Sequence, residues 1–326
     1  MNLETKKSEQ KLISDAVEGW HKNSNFTFQT SGSTGTPKPI SFTKDQVIAS
    51  VLQTQKAFGL TDADVVLLSL PMKYVAGQIM LYRALHLNMD LRTVEPRIDL
   101  SEAFKYNVSF AAFIPPQVEN MLKDEQGQKW LSSIRVVLIG GGPIGFGLAE
   151  ELKSFSNDIY HTYGMTETLT HVAVKRLSRG GSSFFAPLPN IELTEVEGVL
   201  SIEARHLNVS ISTNDIVRLN GDQTFEILGR KDNVINSGGL KIHPEKLETI
   251  FRKYLQKELI VKGVNDDNLG EKVVLFIESE KKIDPEWMNL AMSEIDKPKR
   301  PKLIQYLAEF PRTESGKIKR NEIFLN

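Results

Sequence analysis

The sequence contains no cysteine. This excludes disulfide scaffolds, thiolate zinc sites and cysteine nucleophiles, and it agrees with a protein of the reducing cytoplasm. Net charge is almost absent: 40 Lys and Arg stand against 41 Asp and Glu, for a formal −1. That balance removes the bulk electrostatic basis for binding nucleic acid or an anionic membrane, leaving only local anion sites. Long apolar runs are lacking too. No stretch approaches the ~20 residues of a membrane span, and Met1–Gln10 is charged and polar, without the apolar segment of a secretory leader. The expectation is a soluble, cytoplasmic protein that handles small molecules, with neither nucleic acid nor membrane as a partner. What is present is ordinary for a globular chain, 40% hydrophobic and 25% charged residues, which rules out collagen-like and disordered classes. At roughly 150 residues per domain, 326 residues suggest about two domains.

Apolar runs rich in β-branched residues alternate with helical patterns, as expected of an α/β architecture. Val65–Leu70, Phe110–Ile114 and Val136–Ile139 read as buried strands, Thr43 as the cap of a helix running to about Phe58, and Leu148–Phe155 as a helix after a glycine cluster. From about Ile191 the texture turns to short strands. Ile216–Leu219 and Phe225–Leu228 flank Asn220-Gly221, which predicts an antiparallel hairpin with positive φ at that pair. After Gly229-Arg230-Lys231-Asp232 come a Gly-containing loop, a helix opening at Pro244 and strands at Leu259–Val264 and Val273–Ile277, then a helix near Pro285–Ile295 and a basic tail. A boundary near Asp232 divides the chain. Residues 1–231 are expected to form a large domain of mixed and parallel sheets with helices plus a small antiparallel subdomain, and residues 232–326 a small α+β domain.

Four segments carry chemistry. Thr30-Ser31-Gly32-Ser33-Thr34-Gly35-Thr36-Pro37-Lys38 joins hydroxyls, glycines and a lysine between strand-like segments; exposed backbone N–H groups, hydroxyl donors and a cation suit a phosphate, although the same composition serves a flexible polar loop. It lacks the order of a Walker A loop. Gly140-Gly141-Gly142-Pro143-Ile144-Gly145 formally satisfies the dinucleotide fingerprint. Against that reading, Pro143 removes a backbone donor and no acidic residue ends a second strand ~20 positions on, so a tight strand–helix turn fits better. Tyr160-His161-Thr162-Tyr163-Gly164-Met165-Thr166-Glu167-Thr168 sets hydroxyls and one carboxylate beside a glycine, a combination that suits phosphate when a hard cation such as Mg2+ lies between them. His161 and His171 have no third ligand spaced for a metal and receive no ligand role. The turn-rich, basic Pro311–Arg320 segment contains Lys317 beside Gly316; such lysines are commonly solvated surface charges, but one delivered into a site would stabilise developing negative charge.

In this order the segments resemble the adenylate-forming superfamily of acyl-CoA synthetases, luciferases and peptide-synthetase adenylation domains, over about Phe28 to Arg320. The resemblance implies a phosphate loop at Thr30, Ser31, Gly32, Ser33, Thr34, Gly35 and Lys38, and an adenine turn at Gly140, Gly141, Gly142 and Pro143. It also implies an aromatic-Gly-x-Thr-Glu motif around Thr162, Tyr163, Gly164, Thr166 and Glu167, with Tyr163 on adenine, Thr166 on phosphate and Glu167 on Mg2+. Asp215 and Arg230 match the ribose-binding pair, Asp232 the hinge, Gly238 and Gly239 the loop of the thioester half-site, and Lys317 the adenylation lysine. ATP, Mg2+ and coenzyme A are the implied cofactors and co-substrates. The implied reaction is attack of a carboxylate on the α-phosphate of ATP, loss of pyrophosphate, and transfer of the acyl group to the CoA thiol, with rotation at Asp232 exchanging Lys317 for Gly238-Gly239.

Leu70-Pro71-Met72-Lys73-Tyr74-Val75-Ala76-Gly77-Gln78 followed by Arg83 resembles the o-succinylbenzoate–CoA ligases of menaquinone biosynthesis, as do Phe113-Ile114-Pro115-Pro116-Gln117 and Tyr163–Thr168. That subfamily likeness implies substrate contacts at Gln78 and Arg83, with Arg83 pairing the carboxylate that is not activated. Residue statistics alone favour a surface position for Arg83. Only 29 residues precede the phosphate loop, so the usual N-terminal subdomain is shortened, and either a minimal fold or a homodimer whose second subunit completes the substrate wall is implied. The remaining alternatives are another aryl- or acyl-CoA ligase, a catalytically silent nucleotide-binding module and a dinucleotide-dependent oxidoreductase.

Overall fold

A computed structural model describes residues 2–4 (backbone only), 6–30, 38–255, 257–312 and 318–325. Its centre is an eight-stranded sheet in the spatial order Asn2–Glu4, Asp90–Val94, Val65–Leu68, Phe110–Phe113, Val136–Ile139, Asp158–Gly164, His171–Arg176, Ala186–Pro187. The first six strands are mutually parallel and the last two antiparallel. Period-two alternation explains how the apolar runs are used. Val66, Leu68, Val136 and Leu138 face one core with Phe58, Met80 and Leu81. Leu67, Val137 and Ile139 face the other with Val118, Trp130 and Leu131.

After the edge strand Asn2–Glu4, the chain makes the central strand Val65–Leu68, steps to one side for Asp90–Val94, then returns across it to build Phe110–Phe113, Val136–Ile139 and Asp158–Gly164. Connections leaving the carboxyl ends of Val65–Leu68 and Phe110–Phe113 therefore diverge, and a crevice opens where open α/β sheets bind ligands.

The strand runs expected at Val65–Leu70 and Phe110–Ile114 end one or two residues early, where the chain leaves the sheet for this crevice. Helix Lys44–Phe58 starts as predicted: Thr43 accepts from the Gln46 N–H, and the Gln46 side chain answers the Thr43 N–H in a capping box. The expected helix Leu148–Phe155 runs from Phe146 to Leu152. A two-stranded ribbon, Asn25–Gln29 with Pro39–Thr43, packs beside the sheet.

A second sheet is antiparallel, Ile191–Val196, Val199–Ala204, Val209–Leu219 and Phe225–Arg230. Its last hairpin departs from the expected turn. Leu219 pairs with Phe225, so the loop is longer than Asn220-Gly221, and the positive φ falls on Gln223. The Gln223 N–H donates to the Asn220 carbonyl (3.0 Å), and Asp222 Oδ1 accepts from the Thr224 N–H and hydroxyl. A type I turn completed by a left-handed residue thus displaces the two-residue primed turn, because Asp222 satisfies the loop's donors.

Among the described residues, the cores built from residues 13–225 are separate from two smaller cores built from residues 235–323. The latter contain the strands Ile235–Ser237, Leu240–Ile242, Leu259–Asp266, Gly270–Glu278 and Leu303–Leu307, covered by helices Pro244–Leu255 and Pro285–Ser293. Buried Glu248 is their electrostatic anchor. Its carboxylate accepts from Arg320 Nη2 at 2.6 Å and from the Val261 N–H at 2.9 Å. Glu248→Ala would strand the Arg320 guanidinium; a loss of about 3 kcal/mol of stability is expected, read as a lower denaturation midpoint with the spectrum of the folded state retained.

Candidate active site

A cavity of about 960 Å3 opens at the carboxyl ends of the parallel strands. At one end, Gly140 and Gly141 leave the strand Val136–Ile139 and turn beside Thr162. A Cβ on Gly140 would stand 2.4 Å from Thr162 Oγ1, and Gly141 has φ +81°, so both positions need the missing side chain. Gly142 and Pro143 belong to the same turn but not to the cavity wall. Gly142 uses its carbonyl to accept from His161 Nε2 (3.1 Å).

Tyr163, Asp215 and Arg230 form one unit in this wall. The Tyr163 hydroxyl donates to Asp215 Oδ2 (2.5 Å), and Arg230 Nη1 donates to Asp215 Oδ1 (3.1 Å). Asp215 and Arg230 face one another across the hairpin, as register partners. Burial and the Asp215 carboxylate push the Tyr163 phenol well above its ordinary value, so it is a neutral donor. Arg230 also forks onto Asp232, with Nε and Nη2 each 2.9 Å from a carboxylate oxygen. Asp232 is thus committed to Arg230. Gly238 and Gly239 make the turn of the Ile235–Ser237/Leu240–Ile242 hairpin with positive φ and lie off the cavity.

Thr166 and Glu167 follow on a short 3-10 turn, Thr166 mostly buried and Glu167 exposed, both in the cavity wall. Among the described residues no group of three or more His, Asp or Glu could hold a metal by itself. A single carboxylate completed by phosphate oxygens and water is the coordination Mg2+ favours, so Glu167 fits that ion. Thr30 and Lys38 close the base of the intervening loop: the Lys38 N–H donates to Thr30 Oγ1 (2.9 Å) and the Thr30 N–H to the Lys38 carbonyl (3.0 Å). Ser31, Gly32, Ser33, Thr34 and Gly35 lie outside the described residues, as does Lys317. On either side of the latter, Arg312 pairs with Ile318 in an antiparallel bridge.

Arg83 also lines the cavity. Helix Val75–Leu87 carries it inward, 2% exposed, with Nη2 donating to Thr170 Oγ1 (2.9 Å) and Nε without a partner. No described carboxylate pairs with it. Burial pulls the guanidinium down to about 9, still cationic at neutral pH. A surface position, which residue statistics favour, is therefore corrected. Gln78, five residues earlier on the same helix and so turned away from Arg83, donates from Nε2 to the Met72 carbonyl (3.0 Å) and is not among the residues that line the cavity.

Thr170 was not legible as a site residue. It follows Leu169, a fully buried leucine at φ 62°, ψ −41°, with the Thr170 N–H bonded to the Thr168 carbonyl (2.7 Å). This is a strained γ-turn. Gly164 lies against it: a Cβ there would be 2.3 Å from the Thr170 carbonyl oxygen. Gly164→Ala should therefore displace that turn at a cost of ~1–3 kcal/mol, measured as a lower melting temperature.

The AMP-binding enzyme family model matches residues 3–196, more than half of the chain. The chain belongs to that family. It is similar to an acyl-CoA synthetase (AMP-forming)/AMP-acid ligase II-like protein from Dyadobacter fermentans, 30% identical, with 98% of this chain and 95% of that one covered and a TM-score of 0.65. It is 27% identical to 2-succinylbenzoate–CoA ligase of Listeria monocytogenes over 90% of this chain and 68% of that protein. The o-succinylbenzoate CoA synthetase of Bacillus subtilis, solved with ATP and magnesium, shares the fold at TM-score 0.78 and 22% identity, with 91% and 69% covered. This member of the family is an adenylate-forming ligase homologous to the 2-succinylbenzoate–CoA ligases, as the motif order implied. The oxidoreductase alternative is set aside. No helix among the described residues is long and apolar enough to cross a membrane.

Proposed function

We propose that the protein activates o-succinylbenzoate with ATP and transfers it to coenzyme A, in the cytoplasm, as a step of menaquinone biosynthesis. The observation that carries the substrate assignment is Arg83: a buried guanidinium with no carboxylate partner among the described residues, opening on the cavity. A cation so placed is costly without an anion and selective with one. It suits an acid with two carboxylates, one held at Arg83 and the other presented to ATP.

On this reading Asp215 accepts from the ribose hydroxyls, and Arg230 and Tyr163 hold its carboxylate in place. Gly140 and Gly141 admit adenine against the backbone, and Tyr163 walls the base. Thr166 donates to phosphate, Glu167 would hold Mg2+, and Thr30–Lys38 wraps the leaving phosphates. Mg2+ when bound supplies neutralisation of phosphate charge. The acid's carboxylate oxygen bonds to the α-phosphorus as the bond to pyrophosphate breaks, with Lys317 offsetting the negative charge. The CoA sulfur then bonds to the acyl carbon, AMP leaves, and the thiol proton goes to solvent.

The separate cores support residues 1–231 and 232–326 as domains that turn about Asp232. In the arrangement described here Asp232 binds Arg230, and Gly238-Gly239 stands away. The test is chromatographic: purified protein with ATP, Mg2+ and CoA is given o-succinylbenzoate, benzoate or a fatty acid, and AMP and thioester are followed. Thioester with o-succinylbenzoate alone is expected. Turnover of another acid in its place would overturn the substrate assignment, and size-exclusion chromatography with light scattering would read whether a homodimer forms.

A further inference from the structure

Behind Arg83 lies a chain of polar groups, half-buried at Thr170 and buried at His171 and Thr54, that the reaction itself does not use. Thr170 Oγ1, which accepts from Arg83, is 3.1 Å from His171 Nδ1. On the far side of the ring, His171 Nε2 is 3.4 Å from Thr54 Oγ1, whose hydroxyl donates to the Ser50 carbonyl (3.1 Å). Thr54 is fully buried, and His171 is 7% exposed. The members come from three places: Thr54 from helix Lys44–Phe58, Arg83 from helix Val75–Leu87, and His171 from the strand beginning after the γ-turn.

We propose that His171 and Thr54 are positioning residues for the acid-binding guanidinium: a hydrogen-bonded chain running Arg83 to Thr170 to His171 to Thr54 to Ser50 fixes where Arg83 meets the free carboxylate. This rests on the acid-site reading of Arg83 given above.

The direction of the chain follows from counting protons. Thr54 spends its one hydroxyl hydrogen on the Ser50 carbonyl, a bond helical threonines commonly make to the residue four before them. Its oxygen is therefore an acceptor toward His171, and Nε2 must carry the hydrogen. A neutral ring then has a bare Nδ1, and the Thr170 hydroxyl donates to it. That leaves the Thr170 lone pairs for Arg83. In this direction each hydroxyl and ring nitrogen from Thr170 to Thr54 has a partner with a neutral ring; the reverse direction would leave the Thr170 hydroxyl hydrogen without an acceptor.

The ring is neutral for a physical reason. Burial and the nearby Arg83 charge hold its pKa well below the ordinary histidine value. Phe58 closes over it edge to face, centroids 5.8 Å apart. Without the chain, the Thr170 hydroxyl would turn freely and Arg83, whose Nε has no partner among the described residues, would lose the one polar constraint those residues give it.

Two measurements test this. In 15N-labelled protein at neutral pH, long-range ring spectra should show His171 with a bare Nδ1 and a protonated Nε2, its signals assigned by their loss in a His171 variant. A cationic ring, or a hydrogen on Nδ1, would overturn the chain whatever the activity.

Kinetically, His171→Asn keeps an amide oxygen near the Nδ1 position, whereas His171→Gln replaces the Nε2 end. The KM for o-succinylbenzoate should stay within about threefold in His171→Asn. It should rise roughly 10-fold, the worth of one hydrogen bond, in His171→Gln and in Thr54→Val, with kcat at saturation changed far less. The KM for 4-oxo-4-phenylbutanoate, the same skeleton without the ring carboxylate, should not follow. Equal losses with both acids, or His171→Gln matching His171→Asn, would make His171 merely structural. Arg83→Met separates the two levels: no change in its KM for o-succinylbenzoate defeats the acid-site reading, while a large change with none in His171→Gln defeats only the positioning role.

Discussion

Replacing Arg83 with methionine should cost the enzyme its preference for a dicarboxylate and at the same time leave it no less stable. The KM for o-succinylbenzoate is expected to rise by ~10–100-fold, the range of a charge-assisted pair at ~1.5–3 kcal/mol. The KM for 4-oxo-4-phenylbutanoate should move little. The stability arm has the opposite sign from the usual core substitution. Arg83 is a buried cation whose one polar contact among the described residues is neutral Thr170, so the folded protein bears its desolvation with no compensating anion among those residues. Methionine fills similar length with no charge, and unfolding free energy should rise by on the order of 1 kcal/mol. Steady-state kinetics with both acids and a denaturant titration check the two arms. A variant that lost both acids equally, or that unfolded more readily, would return Arg83 to an architectural role.

The second large effect is expected at Lys317. Lys317→Ala should lower formation of the acyl-adenylate by ~10²–10³-fold, the cost of removing one donor aimed at developing charge. Thioester formation from a supplied acyl-adenylate should be nearly untouched if, as proposed, the second half-reaction follows a turn about Asp232 that takes that lysine away. Pyrophosphate release measures the first half-reaction and thioester appearance the second. Equal loss in both would remove Lys317 from the adenylation step. The segment's described flanks suit such delivery, since the Arg312–Ile318 bridge closes it and Arg320, three residues on from Lys317, is held by buried Glu248.

Much of this was legible from residues alone. The β-branched runs at Val65, Phe110 and Val136 became adjacent parallel strands because apolar residues on both faces can be buried only inside a two-sided α/β sheet. Thr43 with Gln46 capped its helix because the donors and acceptors needed are local. The order of motifs reached the family because each motif is a short contiguous piece of backbone chemistry. Asp215 and Arg230, singled out one motif at a time, meet as register partners across one hairpin.

What the linear pattern could not carry was anything that depends on two distant elements meeting. The Asn220-Gly221 turn went astray because Asp222, a neighbour in the loop, outbid the pair for the hydrogen bonds. Arg83 sits in a helix whose periodicity does not say which side a second helix will cover, and Gln78, in the same segment, was turned to the Met72 carbonyl instead. Thr54, Thr170 and His171 have no shared spacing at all. Local propensity and motif spacing determined most of the elements and the family. Tertiary packing alone decided that an arginine would be buried with no carboxylate beside it among the described residues and with Thr170 and His171 next to it, because desolvation and hydrogen-bond direction exist only once three elements close around one point.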